Sequence, residues 1–402
     1  MSRCRCIAAL LCGGLAVAYA TPFATTASAS TEQSRSQSTT AAYSFLDAMM
    51  DKYASGKTLR LVQSFEPQPA LDYRASVTYD DALVIDAYLA SGTPAHVRRA
   101  EVIADSLLFV QQHDTEHDGR IRAAYAATPM RKPKQIKVAS ATTSVGNLAW
   151  VGMALARLDA RTGDSRYLDA AVAIGSWIQD HARDTRGAGG YTGGERADGE
   201  PVTWKSTEHN IDAYALFEML ASATGDSTWS TRAAWALGFV DAMWNPTDGR
   251  FYTGTGNDGV TINDDSRPED VNSWSYLALR DSTYATALDW NVSHLAVNSD
   301  GFKGVSFCRG DRTGVWFEGT AHLAAALDLR AAAGDGARAQ RYLSTIRRAQ
   351  SSGPNADGRG IIAASKDHLS DCDGDFYYAS LHTGATAWYL LAAQATNPFT
   401  LA

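Results

Sequence analysis

Three sets of carboxylic acids stand at places in this chain where an ionised side chain would be costly, and together they could run acid–base chemistry. The string Ser206-Thr-Glu-His-Asn-Ile-Asp212 crowds Glu208, His209, Asn210 and Asp212 onto the start of an apolar segment, residues 213–223. A helix apolar on all sides is buried, so polar groups at its mouth must face a cavity or one another. Glu208 and Asp212, four apart, share one helical face. Glu318 lies in Gly314-Val-Trp-Phe-Glu-Gly-Thr-Ala-His322, inside a second apolar helix. There it must be partnered, protonated or open to a water-filled cleft, and burial would raise its pKa as suits a general acid. Asp80 and Asp81 open a third such helix beside Tyr79, one to cap it and one left for chemistry. One protonated and one ionised carboxyl can together protonate a leaving oxygen and activate water or attack carbon. Glu208, Glu318, Asp212 and Asp81 are therefore the catalytic candidates. Glu269 and Asp270, which follow Pro268, are first-turn acids of the kind the helix dipole favours.

The elements that must position these groups repeat. Apolar helices are expected over residues 79–90, 147–158, 213–223, 270–279, 315–330 and 383–395. Breaks at Ser91-Gly92, Thr162-Gly163-Asp164, Thr224-Gly225-Asp226 and Gly334-Asp335-Gly336 end four of them. More polar helices follow over 94–113, 165–181, 227–244, 282–294 and 337–350, with Pro94 placed at a helix start. The last apolar helix has no successor, and its partner is the amphipathic segment 41–53 near the other end. Six buried and six half-exposed helices in pairs make an all-α helical repeat. The unpaired first and last helices favour closure into a ring.

Buried inner helices, amphipathic outer ones, and loops bearing aromatics or carboxylates before each inner helix resemble the (α/α)6 barrel of the six-hairpin glycosidases. The resemblance covers residues 41–402 as one catalytic domain. It implies a glycoside hydrolase that cleaves a polysaccharide, internally along the chain, with a carboxylate pair and no cofactor. Similarity to glycoside hydrolase families 8 and 76 is architectural. Asp80-Asp81 is similar to the adjacent aspartates of family 76, but stands at the first inner helix and not mid-barrel. Trp204, Trp274, Trp316 and Tyr191, with Tyr378 and Trp388, stand near the helix mouths, where aromatic faces would stack on sugar rings. With Asp80, His209, Asn210 and His382 they form the expected substrate contacts. Two other readings stay open. Such barrels include polysaccharide lyases that use His or Tyr as base on a uronate, and a non-catalytic carbohydrate-binding toroid would keep the aromatics without buried carboxylates.

A net charge of −8 argues against a nucleic-acid partner, which requires basic surface. Arg131, Lys132, Lys134 and Lys137 form one basic loop, read as a solvated connection. Arg3 and Arg5, the apolar run 7–20 and Ala27-Ser-Ala29 read as a secretory signal over residues 1–29, with a disordered lead-in over 30–40. The expected product is a secreted or periplasmic monomer with no membrane span. Loss of the signal removes Cys4, Cys6 and Cys12 and leaves Cys308 and Cys372, which should pair in an oxidising compartment. No metal site is expected. Asp371, Asp373 and Asp375 match the start of a calcium loop without its closing Glu.

Overall fold

The computed structural model describes residues 23–401, with side chains from residue 32. Its helices are α1 (Phe23–Asp51), α2 (Thr78–Ser91), α3 (Pro94–Gln112), α4 (Val145–Thr162), α5 (Ser165–Ala182), α6 (Thr207–Thr224), α7 (Ser227–Ala242), α8 (Asp270–Leu279), α9 (Thr286–His294), α10 (Phe317–Arg330), α11 (Asp335–Ser352) and α12 (Thr383–Ala393). Helices α2, α4, α6, α8, α10 and α12 each pack on the next, and α12 packs back on α2. The ring is closed. The odd-numbered helices lie outside, α3 to α11 each against the inner helix that precedes it and α1 against α12. This is the expected (α/α)6 toroid.

Side-chain patterning explains which helices line the ring. Every residue of α12 is buried, as befits a helix apolar all round. In α11, Ala339, Tyr342, Leu343, Ile346 and Ala349 are buried at helical spacing while Arg341, Ser344 and Arg348 are exposed. Hairpin turns follow from the breaks. Gly163 and Gly225 end α4 and α6 at φ 74° and 72°, a left-handed geometry that costs a glycine little. Asp164 and Asp226 then accept from the backbone N–H of Arg166 and Thr228 to cap α5 and α7.

The mouth of the ring is set by six antiparallel backbone pairings, one before each inner helix. Val77 pairs with Ala124, Ser144 with Gly194, Ser206 with Gly254, Pro268 with Cys308, Trp316 with Ala364 and His382 with Phe65. Far inside lies an aromatic floor. Trp150 contacts Tyr79, Trp274, Trp388 and Phe399 at ring-centroid distances of 5.3, 5.1, 5.7 and 5.0 Å. Beneath it Arg157 Nε lies 3.1 Å from the buried Asp86, and Nη1 donates to the carbonyls of Asn397 and Thr400, tying down the C-terminal segment.

Residues 30–40, expected as a disordered lead-in, continue α1 instead. Tertiary contacts outweigh their polar composition: Ser38 Oγ donates to Gln350 Oε1 at 2.5 Å and lies 2.7 Å from the Tyr389 hydroxyl, and Arg35 bonds the Ala393 carbonyl. Residues 1–22 of the expected secretory signal lie outside the described residues. No helix among the described residues is long and apolar enough to cross a membrane.

Removing one partner of a buried ion pair strands the other charge. Arg157→Ala should therefore cost about 3–5 kcal/mol of unfolding free energy in denaturant titration. A loss below about 1 kcal/mol would mean that Asp86 is protonated in the fold and needs no counter-charge.

Candidate active site

Counting two residues past each mouth pairing gives Tyr79, Gly146, Glu208, Asp270, Glu318 and Gly384. The first five line one cavity of about 200 Å³ on the ring axis, with Trp150, Trp274, Trp316, Phe307 and Tyr377 among the other walls. One register, repeated six times, thus brings three carboxyl groups from three helices to a common space. Glu208 and Phe307 also line a neighbouring outer groove of about 530 Å³, with Trp204, His209, Thr255, Asn257, Asn263 and Asp373 among its other walls. The indole N–H groups of Trp274 and Trp316 have no protein acceptor.

Each carboxyl group is held differently. Glu318 Oε1 accepts from the Tyr79 hydroxyl at 2.7 Å, and the Tyr79 oxygen itself accepts from Trp388 Nε1 at 2.8 Å. An indole N–H can only donate, so the phenol hydrogen is directed at Glu318. Glu318 Oε2 lies 3.4 Å from His382 Nδ1. Asp270 Oδ1 accepts from the Val271 N–H at 2.7 Å, at the start of α8.

Burial comes first among the forces on all three acids and raises their pKa. Glu208 is pushed well above the usual carboxylate range by burial, and then by the charges of Asp270, Asp373 and Glu318. Asp270 rises to about 7 through burial, opposed by its backbone hydrogen bond. Glu318 also rises to about 7, burial being opposed by His382 and by the Tyr79 hydrogen bond. Burial lowers His209 to about 4, which keeps its ring neutral.

Of the predicted residues, Glu208, Glu318, Trp274 and Trp316 line the cavity, and Trp204 and His209 line the groove. Asp80 and His382 lie behind Glu318, joined at 3.4 Å. The other four are not among the residues that line either space. Asp81 is fully buried and spent on the loop before α2, accepting from Val62 N–H and Ser76 Oγ. Asp212 is buried one turn behind Glu208, its Oδ2 3.4 Å from where a Cβ on Gly146 would lie, and burial with the charges of Glu208 and Asp270 pushes its carboxyl well above the usual range. Asn210 locks a loop by bonding both the N–H and the carbonyl of Tyr191. Tyr191 is wholly buried, with its hydroxyl donating to Gln179.

Asp270 and Tyr377 were missed as wall residues. Asp270 passed for a helix-dipole acid, and only the shared offset from the loop pairing would have exposed it. Tyr377, next to the expected Tyr378, sits on a two-residue strand whose register the sequence does not declare. Cys308 and Cys372 form a disulfide that joins the Phe307 loop to the loop carrying Asp373 and Tyr377. Asp371 spends Oδ1 on the N–H groups of Asp373, Gly374 and Asp375. Among the described residues no group of three or more His, Cys, Asp or Glu is arranged to hold a metal ion.

The closed ring of six helical hairpins, with its acidic cavity at the inner-helix mouths, has the fold of the six-hairpin glycosidases. No protein-family model matches the chain, and no curated protein does. Solved structures do. A family 76 glycoside hydrolase from a bovine Bacteroides thetaiotaomicron strain is 15% identical, with 89% of this chain and 77% of that one covered at a TM-score of 0.60. A D-mannose isomerase is 13% identical, with 87% and 96% covered at 0.61. The cellobiose 2-epimerase of Bacillus thermoamylovorans is 10% identical, with 86% and 95% covered at 0.61. At these identities the likeness is one of fold.

Because the folded chain holds protons on these acids that the unfolded chain releases, its stability falls as pH rises through the raised pKa values. Glu208→Gln removes one such acid, so its melting temperature should exceed the parent's by about 2 °C or more at pH 8. The gap should close towards pH 5. A gap of equal size at both values would show that the gain owes nothing to charge.

Proposed function

We propose that this protein is a glycoside hydrolase that cleaves a polysaccharide, with Glu208 as proton donor and Glu318 as base or nucleophile. The observation that carries the reading is the placement of Glu208 and Glu318 on separate inner helices around one cavity walled by aromatic rings. Two carboxyl groups flanking a sugar are what hydrolysis of a glycosidic bond requires. The aromatic walls suit the apolar faces of a sugar ring, and the free indole N–H groups suit its hydroxyls.

The division of roles follows from the hydrogen bonds. Glu318 receives the Tyr79 hydrogen and faces His382, both of which favour its ionised form. The sequence alone suggested it as the acid; the bonds favour it as the carboxylate. Glu208 has burial and three acidic neighbours holding its proton in place. It also lines both the cavity and the groove, the position from which a leaving oxygen would depart into the groove. In the first step Glu208 gives that oxygen its proton while Glu318, or water deprotonated by it, bonds to the anomeric carbon. Asp270, beside Glu208, makes the loss of that proton harder until the leaving oxygen takes it. The groove supports a substrate longer than one sugar and is consistent with cleavage inside a chain. The run of residues 7–20 and the disulfide support action outside the cytoplasm.

The test is reducing-end release from a panel of neutral and acidic polysaccharides, with absorbance of an unsaturated uronate recorded in parallel. We expect release without new absorbance, and both Glu208→Gln and Glu318→Gln should lower it by about 10²–10⁴-fold while still binding oligosaccharide. New absorbance would make the protein a lyase. Sugar interconversion without chain cleavage would make it an isomerase or epimerase, and binding without turnover would make it a carbohydrate-binding toroid.

A further inference from the structure

Glu318 stands between two imidazoles, His382 and His322. On one side His382 Nδ1 lies 3.4 Å from Glu318 Oε2, and His382 Nε2 lies 3.4 Å from Asp80 Oδ2. On the other, His322 Nε2 lies 3.8 Å from Glu318 Oε1, and His322 Nδ1 lies 3.2 Å from Glu269 Oε2. Both rings are buried, and neither lines the cavity. A row of alternating carboxyl and imidazole groups, Asp80, His382, Glu318, His322 and Glu269, therefore crosses four helix mouths behind the cavity wall.

The two rings are not equivalent. His322 meets Glu269, whose carboxyl is pushed well above the usual range by burial despite donors from Ser273 and Asn291. A neutral acid offers no counter-charge, and burial holds His322 well below the usual imidazole range. Burial pulls His382 down as well, but the carboxyl group of Asp80 at 3.4 Å, followed by the charge of Glu318, overcomes it and leaves its pKa raised. Phe65 stacks on the ring at 4.2 Å and 8°, fixing its plane. In this structure Nδ1 accepts the Ala385 N–H at 3.2 Å, as the cap of α12. A neutral ring would accept that bond as the cap of α12; a protonated one would turn the same nitrogen into a donor for Glu318. Space for the row comes from Gly384. A Cβ there would lie 2.9 Å from His382 Cε1 and 3.2 Å from Glu318 Oε2, and closer still to Asp80 Oδ1.

We infer that His382 is a positioning residue: it carries a proton between Asp80 and Glu318, touches no substrate, and keeps Glu318 a carboxylate in a cavity of competing acids. The inference rests on the reading of Glu318 as base or nucleophile. The other titratable groups that bear on the pair are Tyr73, Tyr79 and Asp81 around α2, His322 on α10, Glu269 behind it, and Tyr377, Asp270 and Glu208 around the cavity. No cation other than His382 is among them. The ring is thus the one positive neighbour opposing burial at Glu318 among the described residues.

Two measurements on the full chain test this. In His-labelled protein, the ring nitrogens of His382, assigned by comparison with His382→Asn, should both be protonated at pH 6. In Glu318→Gln the His382 midpoint should fall by about one pH unit. A neutral ring at pH 6, or a midpoint unmoved by Glu318→Gln, would overturn the pairing. His382→Asn keeps a side chain able to cap α12, so folding should survive, as a retained melting transition would verify. In that variant the acid limb of kcat/KM should move up by about one pH unit, a loss of about tenfold on that limb, with KM held within about twofold. A uniform loss at every pH, or a raised KM, would place His382 outside this role. The ring titration needs no substrate. A protonated His382 in a protein that cleaves no glycan would defeat the hydrolase reading and leave the pairing in place.

Discussion

The six backbone pairings at the mouth of the ring are the constraint on which the rest depends. Each fixes where an inner helix begins, and therefore which side chain two residues later meets the axis. A shift of one residue in a helix turns a side chain by about 100°, enough to carry a carboxyl group from the cavity into the wall. Glu208, Asp270 and Glu318 converge because three pairings share one register, and Gly146 and Gly384 leave room because two others do. At Gly146 a Cβ would lie 2.6 Å from His209 Cδ2, so that glycine admits the His209 ring. The disulfide between Cys308 and Cys372 belongs to the same scheme, since it ties the α8 pairing partner to the loop that closes over the cavity.

Gathering acids in a space lined with tryptophan sets the electrostatics. Burial raises every carboxyl group at the axis, and acidic neighbours add to it: Asp270, Asp373 and Glu318 at Glu208, Asp373 and Glu318 at Asp270, and Asp80 at Glu318. Such a cluster cannot ionise fully, so its protons are distributed by whatever small differences the surroundings supply. Tyr79 and His382 supply one at Glu318, and the hydrogen bond from the Val271 N–H supplies another at Asp270. Glu208 receives neither. Acid and base roles can thus be separated among chemically similar groups by their hydrogen bonds.

The toroid was legible because burial writes itself into a helix as the loss of a polar face. All six inner helices and their partners were readable from apolar runs and glycine breaks such as Gly163 and Gly225. Glu208 and Glu318 were legible for a related reason: a carboxyl group in an apolar helix demands an explanation. Asp81 and Asp212 met the same criterion, yet Asp81 bonds Val62 and Ser76 and Asp212 sits one turn behind Glu208, because a helix start offers several directions and spacing alone does not say which one meets the axis. Asp270 stayed hidden behind a sufficient ordinary explanation, its place in a first helical turn. Tyr191 and Asn210 stood near the right helix but were used by each other. The helical course of residues 30–40 depends on Gln350, Tyr389 and Ala393, contacts more than 300 residues away in the chain.

The central claim is that the reacting sugar sits inside the axial cavity between Glu208 and Glu318, with the remainder of its chain in the groove beside Trp204. A crystal structure of the Glu208→Gln protein with an oligosaccharide that the parent cleaves tests this most directly. The account predicts one ring within the cavity, its anomeric carbon between residues 208 and 318, and the leaving sugar running past Trp204. A sugar chain bound along the groove alone, or on another face, with the cavity closed to it would contradict the account.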